Sequence, residues 1–184
     1  LTTIDVYSPF TPPGLSGTQA DQRVNDKNTL APFSTVSIQS LNGGAFAVLV
    51  QLDNDARGEL INLSGFVKTV GARARYTFTG GSEAATLAIR NLLFRPTENR
   101  LSGSATETAV FEISLVDGGT TNGPDASTTV IISPVNDRPI IQGVPPLIRI
   151  TDNETTRPFR TVGISDIDER GTQAVHVVIT LDNA

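Results

Sequence analysis

The residues with the most definite chemistry are Asp166, Asp168 and Glu169, three carboxylates within the four-residue run Asp166-Ile167-Asp168-Glu169. Acids at that spacing can turn several oxygens toward one hard cation, and Ca²⁺ takes six to eight oxygen ligands at about 2.3–2.6 Å. Upstream, Pro134-Val135-Asn136-Asp137-Arg138-Pro139 sets an Asn-Asp pair between two prolines. There the chain can settle neither into a helix nor into the middle of a sheet, so the segment reads as a joint between two units. A plainer reading stands beside this one: Asn-Asp next to proline is ordinary turn chemistry, and Asp-x-Asp-Glu is a solvated loop.

Other reactive side chains give less. Lys27 and Lys68 are the only lysines. One of them could form a Lys-Asn staple beside a buried carboxylate, but lysine is almost never fully buried without a partner, so two exposed lysines are expected. His176 lies in the apolar run Val175–Ile179 and, with no second histidine and no cysteine, reads as a face residue rather than a ligand or base. Asn62-Leu63-Ser64 and Asn153-Glu154-Thr155 are N-x-S/T acceptors that matter only in a eukaryotic secretory pathway, where a glycan on Asn153 would crowd the joint. There is no Gly-x-Ser-x-Gly elbow, no phosphate-cradling glycine loop and no histidine cluster. The acids gather at turns and at the joint rather than facing each other across a cleft, so a non-enzyme is expected.

The elements that must position these residues are strands. Apolar residues make up 38% of the 184 and charged residues 18%, with much Thr, Ser, Gly, Val and Ile, a turn-rich all-β profile. A net charge of -5 and scattered arginines argue against nucleic acid as a partner, and no apolar run is long enough to insert in a membrane. Without cysteine, disulfides are excluded, and a bound ion is another way to staple a secreted module. The first residues carry no signal-peptide pattern, so an internal piece of a longer polypeptide is expected.

An internal repeat divides the chain. Val24-Asn25-Asp26 through Pro32-Phe33 is echoed by Ile150-Thr151-Asp152 through Pro158-Phe159, and Thr35-Val36-x-Ile38 by Thr161-Val162-x-Ile164, both at an offset of 126. Leu52-Asp53-Asn54 returns as Leu181-Asp182-Asn183 at 129, with three extra residues around Glu169–Gly171. A repeat in register over three blocks is not chance. It divides the chain into an N-terminal linker at 1–23, a complete unit at 24–133, an inter-unit linker at 134–146 and a partial second unit at 147–184. Within the complete unit, 45–52 reads as a mostly buried strand, 73–79 and 109–115 as alternating strands, and 127–132 as the partner that closes a hairpin after the Asp117-Gly118-Gly119 turn. Ala85, Ala88, Ile89 and Leu92 fall at helical spacing behind Ser82, which predicts one short helix capped by that serine.

This succession of a long strand, an Asp-Gly turn, a Thr/Val strand and Val-Asn-Asp-x-Pro resembles the cadherin-like repeats of large extracellular and bacterial surface proteins. The resemblance implies a Greek-key, Ig-like β-sandwich of about seven strands followed by the first strands of another. It also implies calcium at the joint, with Asn136 and Asp137 as linker ligands, Asp166 and Asp168 as the Asp-x-Asp ligands, Asp152 or Glu154 contributed by the second unit and Asp117 by the first. The first copy departs from this pattern, having Ser40-Leu41-Asn42 where the second has Asp166-Ile167-Asp168. The function expected is that of a structural and adhesive repeat of an extracellular fibre, stalk or giant surface protein, whose partners are neighbouring repeats. The alternatives are a carbohydrate-binding module, disfavoured by the absence of Trp and only two Tyr, and a filament subunit whose strands pair between chains.

Overall fold

The computed structural model describes residues 11–168 and 174–181 and is mostly β with one short helix. Its main sheet has six strands: β2 (Gln22–Asn25), β4 (Phe46–Leu52), β6 (Val67–Thr69), β7 (Arg75–Gly80), β9 (Glu107–Asp117) and β10 (Thr120–Ser133). Their order across the sheet is β2-β10-β9-β4-β7-β6. The sheet is mixed, because β2 pairs with β10 in parallel while every other ladder is antiparallel. Alternation decides which face is covered. Ala109, Phe111, Ile113 and Leu115 of β9 are buried and the residues between them are not, and β4 buries Phe46, Val48, Val50 and Leu52 in the same way. The apolar run 45–52 forms the mostly buried strand it predicts, with its buried and half-buried residues alternating. Leu49 and Gln51 of that strand stay partly open to solvent.

Three smaller elements cover the buried face: β1 (Gly14–Ser16) with β3 (Ser37–Gln39), β5 (Gly58–Ile61) with β8 (Leu93–Pro96), and helix α1 (Ser82–Arg90). Phe111 lies at the centre of this core, with the rings of Phe33 and Phe94 each packed edge-on at 5.2 Å. The helix buries Ala85, Ala88 and Ile89, as their spacing predicts. Its N-cap is Gly81 and makes no side-chain cap, so Ser82 begins the helix rather than capping it. Thr86 fastens α1 to β3: its hydroxyl oxygen accepts the Ile38 N–H at 3.0 Å.

The first strand starts at Gly14, and β2 at Gln22, inside the stretch 1–23 that the sequence assigns to a linker. Residues 1–10 of that stretch lie outside the described residues. The linker reading fails from 14 onward because β1 lacks any apolar alternation of its own and becomes a strand only by pairing with β3.

After Ser133 the chain forms β11 (Ile140–Gln142) and β12 (Gly163–Ser165), paired antiparallel. Their register repeats that of β1 and β3 at an offset of 126: Gly14 faces Gln39 as Ile140 faces Ser165. The turns match as well. The Thr35 hydroxyl donates to the Gly17 carbonyl at 2.6 Å and that of Thr161 to the Gly143 carbonyl at 2.7 Å. Both glycines have left-handed φ, +78° and +72°, and a Cβ on either would lie 2.2 or 2.0 Å from that threonine's carbonyl oxygen. Glycine is required at both turns by the backbone and by the space.

Candidate functional site

The joint is built from both units. Asp26, at the end of β2, is 4% exposed and holds two backbone donors: its Oδ1 accepts the Val135 N–H at 2.9 Å and its Oδ2 the Asn99 N–H at 3.1 Å. The Asp26 N–H itself donates to the Ser133 carbonyl at 3.0 Å. One carboxylate therefore ties the outgoing linker to the turn that follows β8. Asn99 can sit in that turn because asparagine tolerates its φ of +55°.

The second unit holds the linker from the other side. The Asp168 carboxylate accepts the Asp137 backbone N–H, and the Asp168 N–H donates to Asp166 Oδ1 at 2.9 Å. Asp168 is 3% exposed. The same clamp stands at the entrance to the first unit, where Asn42 Oδ1 accepts the Thr11 N–H at 3.4 Å and Asn42 Nδ2 returns a bond to the Thr11 carbonyl at 2.6 Å. Thr11 and Asn42 are the equivalents of Asp137 and Asp168 at the offset of 126. Asparagine thus makes the same contact where the first copy lacks the Asp-x-Asp acids.

Beside Asp137 lies Lys27. Its Nζ is 2.8 Å from Asp137 Oδ2, 3.2 Å from Glu98 Oε2 and 3.3 Å from Asn99 Oδ1. The hydrogen bond to Asp137 chiefly, with Glu98 adding, holds the ammonium above the usual lysine range. Lys27 is thus an exposed, ion-paired ammonium. Lys68 is also paired, with Glu59 at 3.0 Å, and sits 5.6 Å from the Tyr76 ring centre.

Of the expected ligands, Asn136, Asp137, Asp166 and Asp168 come together at the joint. Asn136 turns its Nδ2 onto the Asp137 carbonyl at 2.7 Å, which leaves its side-chain oxygen directed elsewhere. Three other assignments need correction. Asp117 belongs to the far end of the β9–β10 ladder: Glu107 faces Ile132 next to the joint, whereas Asp117 faces Thr120 at the hairpin turn. Ten strand residues separate the two ends, about 34 Å. Glu154 accepts the Thr151 N–H at 2.9 Å within its own turn, and this backbone bond holds its carboxyl below the usual range. Asp152 is the equivalent of Asp26, and Asp26 serves the linker that leaves its unit. The repeat therefore predicts that Asp152 serves the exit of the second unit rather than its entrance. Glu169 lies outside the described residues, as do Asp182 and Asn183 of the third repeat block.

Sequence reasoning missed Asp26 and Glu98, and gave Lys27 and Asn42 other roles than those they have here. The signal for Asp26 was present, since it is the one acid identical in both copies of the first block. Among the described residues no group of three His, Cys, Asp or Glu side chains is set to enclose a metal ion. The side-chain oxygens at the joint belong to Asp137, Asp166, Asp168 and Asn136, and the three carboxylates already accept bonds from Lys27 and from backbone N–H groups. Calcium's preference for mixed carboxylate and amide oxygen fits that donor set. Phe159 is the one exposed phenylalanine among the described residues, and Tyr76 is buried. Both sequon asparagines are exposed, and Asn62 spends its Nδ2 on the Asn91 carbonyl at 2.8 Å. Among the described residues no helix is long and apolar enough to cross a membrane. No known family model matches the chain, and no characterised protein is detectably similar to it in sequence.

Proposed function

We propose that this chain is part of a tandem array of cadherin-like β-sandwich repeats serving a structural and adhesive role in an extracellular fibre, stalk or giant surface protein. In this reading the six-stranded sheet and the smaller ladders are the two layers of a Greek-key sandwich, and residues 140–181 begin the next one. The observation that carries it is the offset of 126, which holds for strand register, for the glycine turns and for the clamp on the incoming linker. A module that repeats its entrance geometry is built to be strung together, since each clamp fixes a unit to the linker that precedes it. The work of such a module is mechanical, and the joint is its working part.

Asn136, Asp137, Asp166 and Asp168 are the residues that would hold calcium at the joint. The ion would supply neutralisation of the three carboxylates and so stiffen the linker, with the weak affinity of about 10⁻⁴–10⁻³ M found for extracellular modules. Titration calorimetry of the chain against an Asp166→Asn/Asp168→Asn variant tests this. Saturable binding that the variant loses supports the ion, while no heat up to millimolar calcium refutes it. The repeat reading would survive, because Asn42 makes the same clamp without a carboxylate.

A second reading has one observation in its favour. Val177, Val178, Ile179 and Leu181 are exposed, although by the repeat they correspond to β4, a central strand paired on both sides. The rest of the second unit would cover them in a longer chain; strands from a second chain covering them instead would make the chain a filament subunit. A mass of 19.5 kDa by light scattering rejects that assembly, and a concentration-dependent multiple supports it.

A further inference from the structure

Asp137 is gripped from two directions. Its backbone N–H belongs to Asp168 of the second unit, and its side chain to Lys27 of the first. It is therefore the residue through which the two units are coupled. We propose that Lys27 is a tethered cation for this joint, an ammonium that latches the linker to the first unit and does so without any divalent ion.

Three oxygens converge on Lys27 Nζ from two separate segments: Asp137 from the linker, Glu98 and Asn99 from the turn after β8. Here the positive charge between these oxygens is supplied by the chain itself. The backbone at Lys27 is held in place by its neighbours, since Asp26 is buried and the Lys27 N–H donates to Asn25 Oδ1 at 3.1 Å. The latch is also particular to this joint. The equivalent of Lys27 in the second unit is Asn153, and the equivalent of Asp137 at the entrance to the first unit is Thr11, so neither neighbouring position has the pair of opposite charges. Joints of one array would then differ in what closes them: a lysine here, and hydrogen bonds or ions elsewhere. The inference rests on the contacts of Lys27 and stands apart from the calcium reading. A calcium ion on the remaining oxygen of Asp137 would sit beside the ammonium.

The test is hydrogen exchange of the Asp137 backbone amide, measured by NMR on the whole chain in chelator, for the wild type, Lys27→Gln and Lys27→Arg. Lys27→Gln should speed exchange at Asp137 about two- to five-fold, the scale of an ion pair partly open to solvent, with the β9 and β10 amides unchanged. Lys27→Arg should restore protection. Raising sodium chloride from 0.05 to 0.5 M, a change of roughly threefold in screening length, should speed exchange in the wild type and leave Lys27→Gln where it was. Equal exchange at Asp137 in the wild type and Lys27→Gln would overturn the latch, as would a rise spread evenly over the core amides. Because chelator is present throughout, failure of calcium binding leaves this result untouched.

Discussion

Truncating Asp26 should be the most damaging single change at the joint, and the geometry sets how damaging. Asp26→Ala removes both acceptors at once and takes this carboxylate away from the Asn99 and Val135 N–H groups beside a buried site. A hydrogen bond to a charged acceptor contributes about 1.5–3 kcal/mol, and water can reach part of the space left by the side chain, so a loss of about 2–4 kcal/mol is expected. In a domain of this size each kcal/mol moves Tm by about 2–4 °C, which puts the fall at roughly 5–15 °C. Asp26→Asn keeps the shape and one acceptor but points an NH₂ at one of the donors, and should lie between the two. Thermal unfolding followed by circular dichroism at 218 nm, where β-sheet absorbs differently from coil, gives the readout, with roughly that spread among the three chains. A wild-type Tm for Asp26→Ala would refute the reasoning, because it would mean that neither N–H depends on this carboxylate.

Three further outcomes follow from the same contacts. Phe111→Ala should cost about 3–5 kcal/mol in urea unfolding, since it empties the space between the Phe33 and Phe94 rings. Gly17→Ala should cost more than about 1 kcal/mol, because the added Cβ meets the Thr35 carbonyl oxygen and alanine resists the φ of +78°; a neutral result there would contradict the turn geometry. Glu59 gives a pH dependence: its carboxyl is held below the ordinary 4.5 first by Arg95 and then by Lys68. A depressed carboxylate contributes stability above its unfolded pKa and loses it as pH falls through the folded one. Acid unfolding from pH 4.5 downward should therefore be slightly steeper in the wild type than in Glu59→Gln, by a small margin because the group is partly solvated.

How far the sequence reaches can be judged from particular residues. The alternation at Ala109–Leu115 shows in the sequence because a half-buried strand repeats every two residues, and α1 shows because Ala85, Ala88 and Ile89 recur at helical spacing. β1 does not show, since Gly14-Leu15-Ser16 has no pattern and its conformation comes from β3. The clamp at Asp168 was visible as an acid pair, but the matching clamp at Asn42 was not, because what the two share is a hydrogen-bond acceptor rather than a charge. Asp152 illustrates the limit most clearly. Its echo of Asp26 identifies it as a residue with a task, whereas which end of the unit it serves depends on the parallel pairing of β2 with the far end of β10, a contact across more than a hundred residues. Asp117 fails for the same reason: nearness to a turn in sequence does not say which end of the sheet that turn occupies.

The central claim is that the linker fixes one unit against the next, and small-angle scattering of the wild-type chain in chelator tests it most directly. Clamps at Asp26 and Asp168 and the Lys27–Asp137 pair predict a normalised profile that returns to baseline at high angle and fits one arrangement of the two units, with calcium changing it little or tightening it. A rising plateau that only an ensemble of arrangements can fit, in chelator and in calcium alike, would contradict the account.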